Sequence, residues 1–283
     1  MLAEPTKEEI EKYLDFAYKL ALDPARSGYP TYTDGIKTRE DFEAATWRQF
    51  YEDGRKILLF EKNGRVEGWL QFDVFPEANH LEMTGFNIAD HVEQALAELE
   101  AYCVANYPGY GLYFGFPKDN VLAVHYLAAN GWACIEHSYN DVLHLKNYQP
   151  LEECGDIVPV TRKNFGDFQA MHRLIEGDMY WNSERLYQEL DRWSIWLYYR
   201  GGIPAAAVYY TNVETMAEIF GVDFAGGHFE EGAFRALVVK SLNACKEKDF
   251  RHVTFFNDEQ TQQAALACGF ECVGEYVCYY KKR

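Results

Sequence analysis

The chain repeats itself. Leu59–Leu143 and Leu197–Lys281 align at a near-constant spacing of 138 residues: Leu59 with Leu197, Gly64 with Gly202, Leu99 with Leu237, Gly131 with Gly269, Trp132 with Phe270 and Cys134 with Cys272. An offset shared over roughly eighty residues marks a duplication, so the fold must be one topology used twice. At 283 residues the chain is long enough for each copy to bury its own core.

The local signals place the same elements in each copy. Thr6 and Glu9 have capping-box spacing ahead of Ile10, Tyr13, Leu14, Ala17 and Leu20, which predicts an opening amphipathic helix. A second helix is expected from about Arg39 to Tyr51. Asn63-Gly64 and Gly201-Gly202 sit between apolar runs and suit two-residue hairpin turns, where both central residues need positive φ. A strand follows in each copy (Leu81–Ile88 and Met216–Phe224), then a helix, a short strand, a short helix and a closing strand. Asp156–Thr161 reads as an additional first strand, feeding a helix from about Lys163 to Glu176, with no counterpart before the first helix of the N-terminal copy. Tyr148–Gly155, with Pro150, reads as the linker. The fold class is α/β: two domains, 1–148 and 156–283, each a twisted, mixed and mainly antiparallel sheet flanked by helices.

Charge narrows the function. The net charge of -17 argues against nucleic acid, whose phosphates are bound through Lys and Arg, and against anionic membranes; it suits cationic partners such as amines. No apolar run reaches membrane-spanning length, and the first residues lack a basic region followed by an apolar one. Seven cysteines without a Cys-x-x-Cys pair read as buried, reduced thiols and imply a cytoplasmic protein with no metal site.

Asn120-Val-Leu-Ala123…Tyr126…Gly131-Trp132 resembles the Asn-x-x-Ala…Tyr…Gly-Phe segment of the GNAT superfamily of acyl-CoA-dependent N-acyltransferases. Asp258…Ala265…Gly269-Phe270 is a weaker second version, and Met216-Ala-Glu218-Ile resembles the strand that carries a carboxylate base in several members. The resemblance spans nearly the whole chain, taken twice. It implies acyl transfer, with acetyl-CoA or another acyl-CoA as cosubstrate, to a small-molecule or peptide amine. A homodimer is among the assemblies it allows.

The resemblance also assigns roles. Glu218 would be the general base and Tyr126 the general acid, although Tyr126 stands one residue before the family's tyrosine position. The cofactor would lie along Val222 and Phe224, against Gly226, Gly227, His228, Gly232 and Ala233, and beside Asn257. The family's phosphate motif, Gln/Arg-x-x-Gly-x-Gly/Ala, is incomplete in both copies. The C-terminal loop has Gly232 at the first glycine position, Phe234 at the second and Phe229 at the Gln/Arg position, with Glu230 and Glu231 adjacent. The N-terminal loop, Asn87-Ile-Ala-Asp90-His91-Val-Glu-Gln94, has no glycine, and Asp90 reads as a helix N-cap. The C-terminal copy is therefore the expected cofactor site. The degenerate loops keep open a second reading, a catalytically inactive binding or regulatory module of the same fold. Aminoacyl-tRNA-dependent transfer, another use of paired domains of this kind, is disfavoured by the charge.

Overall fold

A computed structural model describes residues 1–177, 179–213 and 215–282. The chain forms two compact units, Met1–His137 with Gly274–Arg283, and Ser138–Val273.

In the first unit, α1 (Lys7–Ala21) and α2 (Arg39–Tyr51) each begin with a capping box, Thr6 with Glu9 and Thr38 with Asp41. Both satisfy amides that the first turn leaves bare. β1 (Leu2–Ala3), β2 (Arg55–Lys62), β3 (Arg65–Phe75), β4 (His80–Ile88) and β5 (Gly111–Pro117) form its sheet in that order. The β2–β3 turn has Asn63 and Gly64 at φ 53° and 75°, as the hairpin signal requires. The β4–β5 pair alone is parallel, joined through α3 (Val92–Asn106). α4 (Val121–Ala129) follows β5, and β6 (Ala133–His144) leads out of the unit.

The second unit repeats the plan. β7 (Asp156–Pro159) precedes α5 (Phe165–His172) and α6 (Ser183–Gln188). The hairpin of β8 (Trp193–Arg200) and β9 (Ile203–Val213) turns on Gly201 and Gly202, both at positive φ. β10 (Met216–Phe224) pairs antiparallel with β9 and parallel with β11 (His252–Asn257), through α7 (Glu231–Glu247). α8 (Glu259–Ala267) and β12 (Glu271–Lys282) close the chain. One apolar cluster packs α7 and α8 on one face of the sheet, and another packs α5 and α6 on the opposite face.

The closing strands do not stay with their own copies. The sheet of the first unit is completed by β12, whose Tyr276–Lys282 pairs antiparallel with Gly111–Pro117. That of the second unit is completed by β6, whose Tyr139–His144 pairs with His252–Asn257. Val277 and Tyr279 of β12 are buried in the core of the first unit. Lys281 Nζ lies 2.8 Å from Glu100 Oε1 and 2.7 Å from the Asn130 carbonyl. The unit boundaries thus differ from a cut at the linker. Residues 148–153 also pack onto α7: Tyr148 Oη donates to Asn243 Oδ1 at 2.8 Å, and Asn243 Nδ2 donates to the Leu151 carbonyl.

Four further differences have local causes. β1 is the counterpart of β7 that the sequence reading lacked; two residues carry no periodicity. The helix expected to Glu176 stops at His172, and α6 is a separate short helix. α3 is preceded by His91 at φ 59°, and the Asp90 carboxylate only accepts the His91 amide. Of the seven cysteines, none in a disulfide, Cys134, Cys154 and Cys272 are exposed. Burial holds the Cys103, Cys245 and Cys278 thiols up at about 12.

A chain ending at Val273 should lose amide hydrogen-exchange protection in β5 and α3 while retaining it in β9 and α7. In the full chain, Lys281→Ala removes the cation beside Glu100, whose side chain is 10% exposed and keeps the Trp132 indole as a donor, and should cost about 2 kcal/mol in chemical denaturation of the first unit.

Candidate functional site

Each unit contains a wedge where its parallel strands part. In the second unit, β10 and β11 stay paired only from Met216↔His252 to Ile219↔Phe255, yet β10 runs on to Phe224. A bulge between Ile219 and Gly221 bends β10 at that point. In the first unit, pairing of β4 with β5 stops at Glu82↔Tyr113, and the bulge falls opposite Gln71/Phe72. The bulges share one steric device. A Cβ on Gly221 would meet Tyr209 Oη at 2.6 Å, and one on Gly85 would collide with Gln71.

Beyond the bulge, alternate residues turn their backbone groups into the wedge. In the first unit these are Phe86 and Ile88, and the chain itself meets them. The Gly28 amide donates to the Phe86 carbonyl at 2.7 Å, the Ile88 amide donates to the Arg26 carbonyl at 3.1 Å, and the Tyr29 amide donates to the Gly115 carbonyl on β5 at 2.9 Å. Asn120 is fully buried; its Nδ2 donates to the Ser27 carbonyl at 3.0 Å while its Oδ1 caps α4 through the Ala123 amide. The best-matching motif residue of the N-terminal copy therefore holds residues 26–29 in place. Gly28 is required by close approach, since a Cβ would lie 2.7 Å from Phe86 Cβ.

In the second unit the equivalent residues are Val222 and Phe224. The Ala225 amide donates to the Ala205 carbonyl on β9, so the Val222 carbonyl and Phe224 amide face away from β9, and no described residue bonds to them. Past this edge, Gly226, Gly227 and His228 form an exposed turn, with Gly227 at φ 66°. Neither positive φ nor a protein neighbour demands glycine at Gly226 or Gly232. α7 starts after Glu230 without a side-chain cap. Its first helical bond is Phe234 N–H to Glu230 C=O, which leaves the amides of Glu231, Gly232 and Ala233 at the positive end of the helix dipole. Glu230 is ion-paired with Arg200 at the end of β8, a cation that sequence reading missed. Phe229 packs between Phe224 and Phe234, with ring centroids 5.8 and 5.6 Å away. An open strand edge, bare helix amides and a glycine turn are the donor set that an extended amide-bearing arm with phosphates requires.

The remaining expected residues distribute as follows. Glu218 is half-buried on β10, opposite Thr211 and Thr254, one rung before pairing with β11 ends. Asn257 is buried at the end of β11, and its amide nitrogen donates to Asp141 Oδ2 at 2.9 Å. Asp141 is held above the usual carboxylate range by burial, against hydrogen bonds from Cys272 and Asn257. Tyr126 belongs to the first unit, packed against its core, and does not share a unit with the others. Among the described residues no group of His, Cys, Asp and Glu is placed to hold a metal ion.

The face of β10 opposite α7 carries an aromatic row that includes Trp181, which with Tyr180 the family resemblance suggests as an acceptor wall, and a buried His172–Asp223 pair that local sequence signals do not reveal. Trp181 meets Trp193 edge-on at 5.1 Å, and Trp193 meets Phe220, the bulge residue, at 5.0 Å. Beside this aromatic row, buried His172 places Nδ1 2.9 Å from Asp223 Oδ2 and Nε2 3.0 Å from the Trp181 carbonyl. Asp223 Oδ1 is buried without a partner. Burial raises the Asp223 carboxyl, against the pull of His172. Burial alone would lower His172, but the Asp223 hydrogen bond and charge, the Trp181 carbonyl and Glu176 outweigh it and leave the imidazole raised.

These are the features of a GNAT acetyltransferase fold, present twice. Structural comparison bears this out. Over 100% of this chain and 95% of the other, the structure matches a GCN5-related N-acetyltransferase from Sphaerobacter thermophilus, with TM-score 0.66 and 13% identity. It matches a tandem GNAT protein of the clavulanic acid biosynthesis pathway over 100% and 97%, with TM-score 0.56 and 12% identity. A GCN5-related glucosamine N-acetyltransferase region of a fungal multi-domain GH3 β-N-acetylglucosaminidase matches 99% of this chain with 38% of its own, at TM-score 0.62 and 10% identity. No protein-family model and no curated protein sequence matches the chain.

Gly28→Val should force residues 26–29 off β4 and destabilise the first unit by about 2 kcal/mol, read as a lower melting temperature with hydrogen-exchange protection lost in β4 and retained in β10.

Proposed function

We propose that the chain is an acyl-CoA-dependent N-acyltransferase that holds acetyl-CoA or another acyl-CoA in its second unit and transfers the acyl group to a small-molecule or peptide amine. The observation that carries this reading is the unequal use of the two wedges: residues 26–29 bond to the strand edge in the first unit, while at the equivalent edge the Gly227 amide takes up the Phe224 carbonyl and the Val222 carbonyl and Phe224 amide have no partner among the described residues. The backbone contacts that Gly28 and Arg26 make are of the kind that the Val222 carbonyl and Phe224 amide would offer a pantetheine arm.

The cofactor supplies an activated thioester carbonyl; the rest falls to the chain. The amides of Glu231, Gly232 and Ala233 would hold the pyrophosphate, beside the Gly226–His228 turn, and Arg200 offsets the Glu230 charge. Glu218 would take a proton from the incoming ammonium at a carboxylate oxygen, freeing the amine to attack the thioester carbonyl; the C–N bond would form as the C–S bond breaks, the nitrogen would lose its second proton to water, and the thiolate would leave and take up a proton from water. The row of Trp181, Trp193 and Phe220 keeps water from the acceptor side. The net charge of -17 favours a cationic acceptor. Tyr126 has no part in this mechanism. No described helix is long and apolar enough to cross a membrane.

One observation favours the second reading, a binding or regulatory module. Phe229, packed between Phe224 and Phe234, stands where the family places a polar phosphate ligand, and Glu231 is exposed in the first turn.

Acetyl-CoA at a hundred times its dissociation constant should stabilise the protein by about 2.7 kcal/mol, read as a thermal shift. Its absence at every concentration removes the acyltransferase reading. Gly232→Glu should weaken binding by at least about tenfold through repulsion of the pyrophosphate, while Gln94→Glu at the matching place in the first unit should not. Glu218→Gln should retain acetyl-CoA binding and slow thiol release with a panel of primary amines by about a hundredfold.

A further inference from the structure

We infer that His172 is a positioning residue: a proton shared with Asp223 latches the chain between α5 and α6, and with it Trp181, to β10. On the acyltransferase reading this latch sets the acceptor-side wall. The geometry holds independently of that reading.

The Trp181 carbonyl can only accept, so His172 Nε2 must carry a hydrogen to bond it at 3.0 Å. His172 Nδ1 lies 2.9 Å from Asp223 Oδ2, and a hydrogen must lie between them too. Either the pair is imidazolium and carboxylate, or neutral imidazole and carboxylic acid. Both carry one proton between Nδ1 and Oδ2, and the titration belongs to the pair. Loss of that proton would set a nitrogen lone pair against a buried carboxylate whose other oxygen has no partner.

The surroundings make the imidazole a tie rather than filler. It stacks on Phe168 of α5 (5.1 Å, 18°) and meets Tyr209 of β9 edge-on (5.1 Å, 76°). Among the described residues, the Trp181 ring also meets Trp193 of β8 and lies under Arg192, and further bonds tie the chain to its own end. The Ser183 amide donates to Glu176 Oε2 at 2.6 Å, and Arg185 donates to the Tyr180 carbonyl at 2.9 Å and lies over the Tyr180 ring. His172 joins it to the strand that carries the bulge. The titratable and charged groups that act on the imidazole are Asp223 from β10, Glu176 from the connecting chain and Tyr209 from β9. Asp223 and Glu176 favour the protonated ring, and the Tyr209 phenol is itself raised well above its usual value by burial and by Asp223. The folded-state value of His172 is raised. The latch is therefore complete below the unfolded value of about 6.5 and is lost as pH rises through the folded one.

Hydrogen exchange of residues 173–182, corrected for intrinsic rates, tests this beside long-range 15N–1H NMR of His172. In the unaltered protein Nε2 should carry a hydrogen near pH 6 with one further proton held between Nδ1 and Asp223, and protection of the segment should fall at least tenfold as the Nδ1 signal titrates. Asp223→Asn can donate to a neutral Nε2–H ring, so it should keep the protection and abolish the alkaline fall. His172→Phe, which keeps the volume, should lack protection at every pH. Protection that ignores the His172 titration, an alkaline fall that survives in Asp223→Asn, or full protection in His172→Phe would each overturn the latch. Acetyl-CoA binding, measured separately, reports on the acyltransferase reading and leaves this test untouched.

Discussion

Where two parallel strands part, each leaves a row of backbone amides and carbonyls that the sheet no longer satisfies. A buried backbone group without a partner costs about as much as a lost hydrogen bond, so the wedge must be filled by something with matching donors and acceptors. Both units create this demand with the same bulge and the same glycine, Gly85 and Gly221. The first unit answers it with its own residues 26–29, which join β4 through an isolated antiparallel bridge at Ser27 and Asn87 and the bonds of Gly28 and Arg26. In the second, the proposed answer is a ligand of the same backbone-like chemistry.

This constraint reorganises the meaning of the motifs. Asn120, in the segment with the clearest likeness to a cofactor-binding motif, spends both ends of its amide on the protein: Nδ2 on the Ser27 carbonyl and Oδ1 on the Ala123 amide. Its counterpart at the 138-residue offset, Asp258, caps α8 through the Thr261 amide, and the neighbouring Asn257 donates to Asp141. The second unit has the poorer motif but the open strand edge and the uncapped α7. A duplicated site can keep its signature in one copy while its geometry stays open in the other, because a motif records residue types and not what they bond to.

Local structure was legible wherever a few adjacent residues carry the whole physical reason. Thr6 with Glu9 marked the start of α1, and Asn63-Gly64 and Gly201-Gly202 marked the two hairpin turns. The pairing of a fold with its copy was legible from the 138-residue offset. What escaped was short or non-local. β1 has two residues; α5 ends at His172, where the ring turns inward to Asp223, 51 positions away in sequence. Glu218, Gly226, Gly227, His228 and Gly232 could be singled out from sequence because they sit on one strand, the loop after it and the first turn of α7. His172, Asp223 and Arg200 could not, since each is given its importance by a partner on another element.

The order of strands and helices, the duplication, the turns and the acidic character were written in the chain itself, since each depends on neighbours in sequence or on composition. Tertiary structure alone decided which sheet each closing strand completes, which wedge residues 26–29 occupy and where the imidazole of His172 rests. Those outcomes turn on which distant backbone groups and buried charges find partners, and an amino-acid order does not reveal that until the chain has folded.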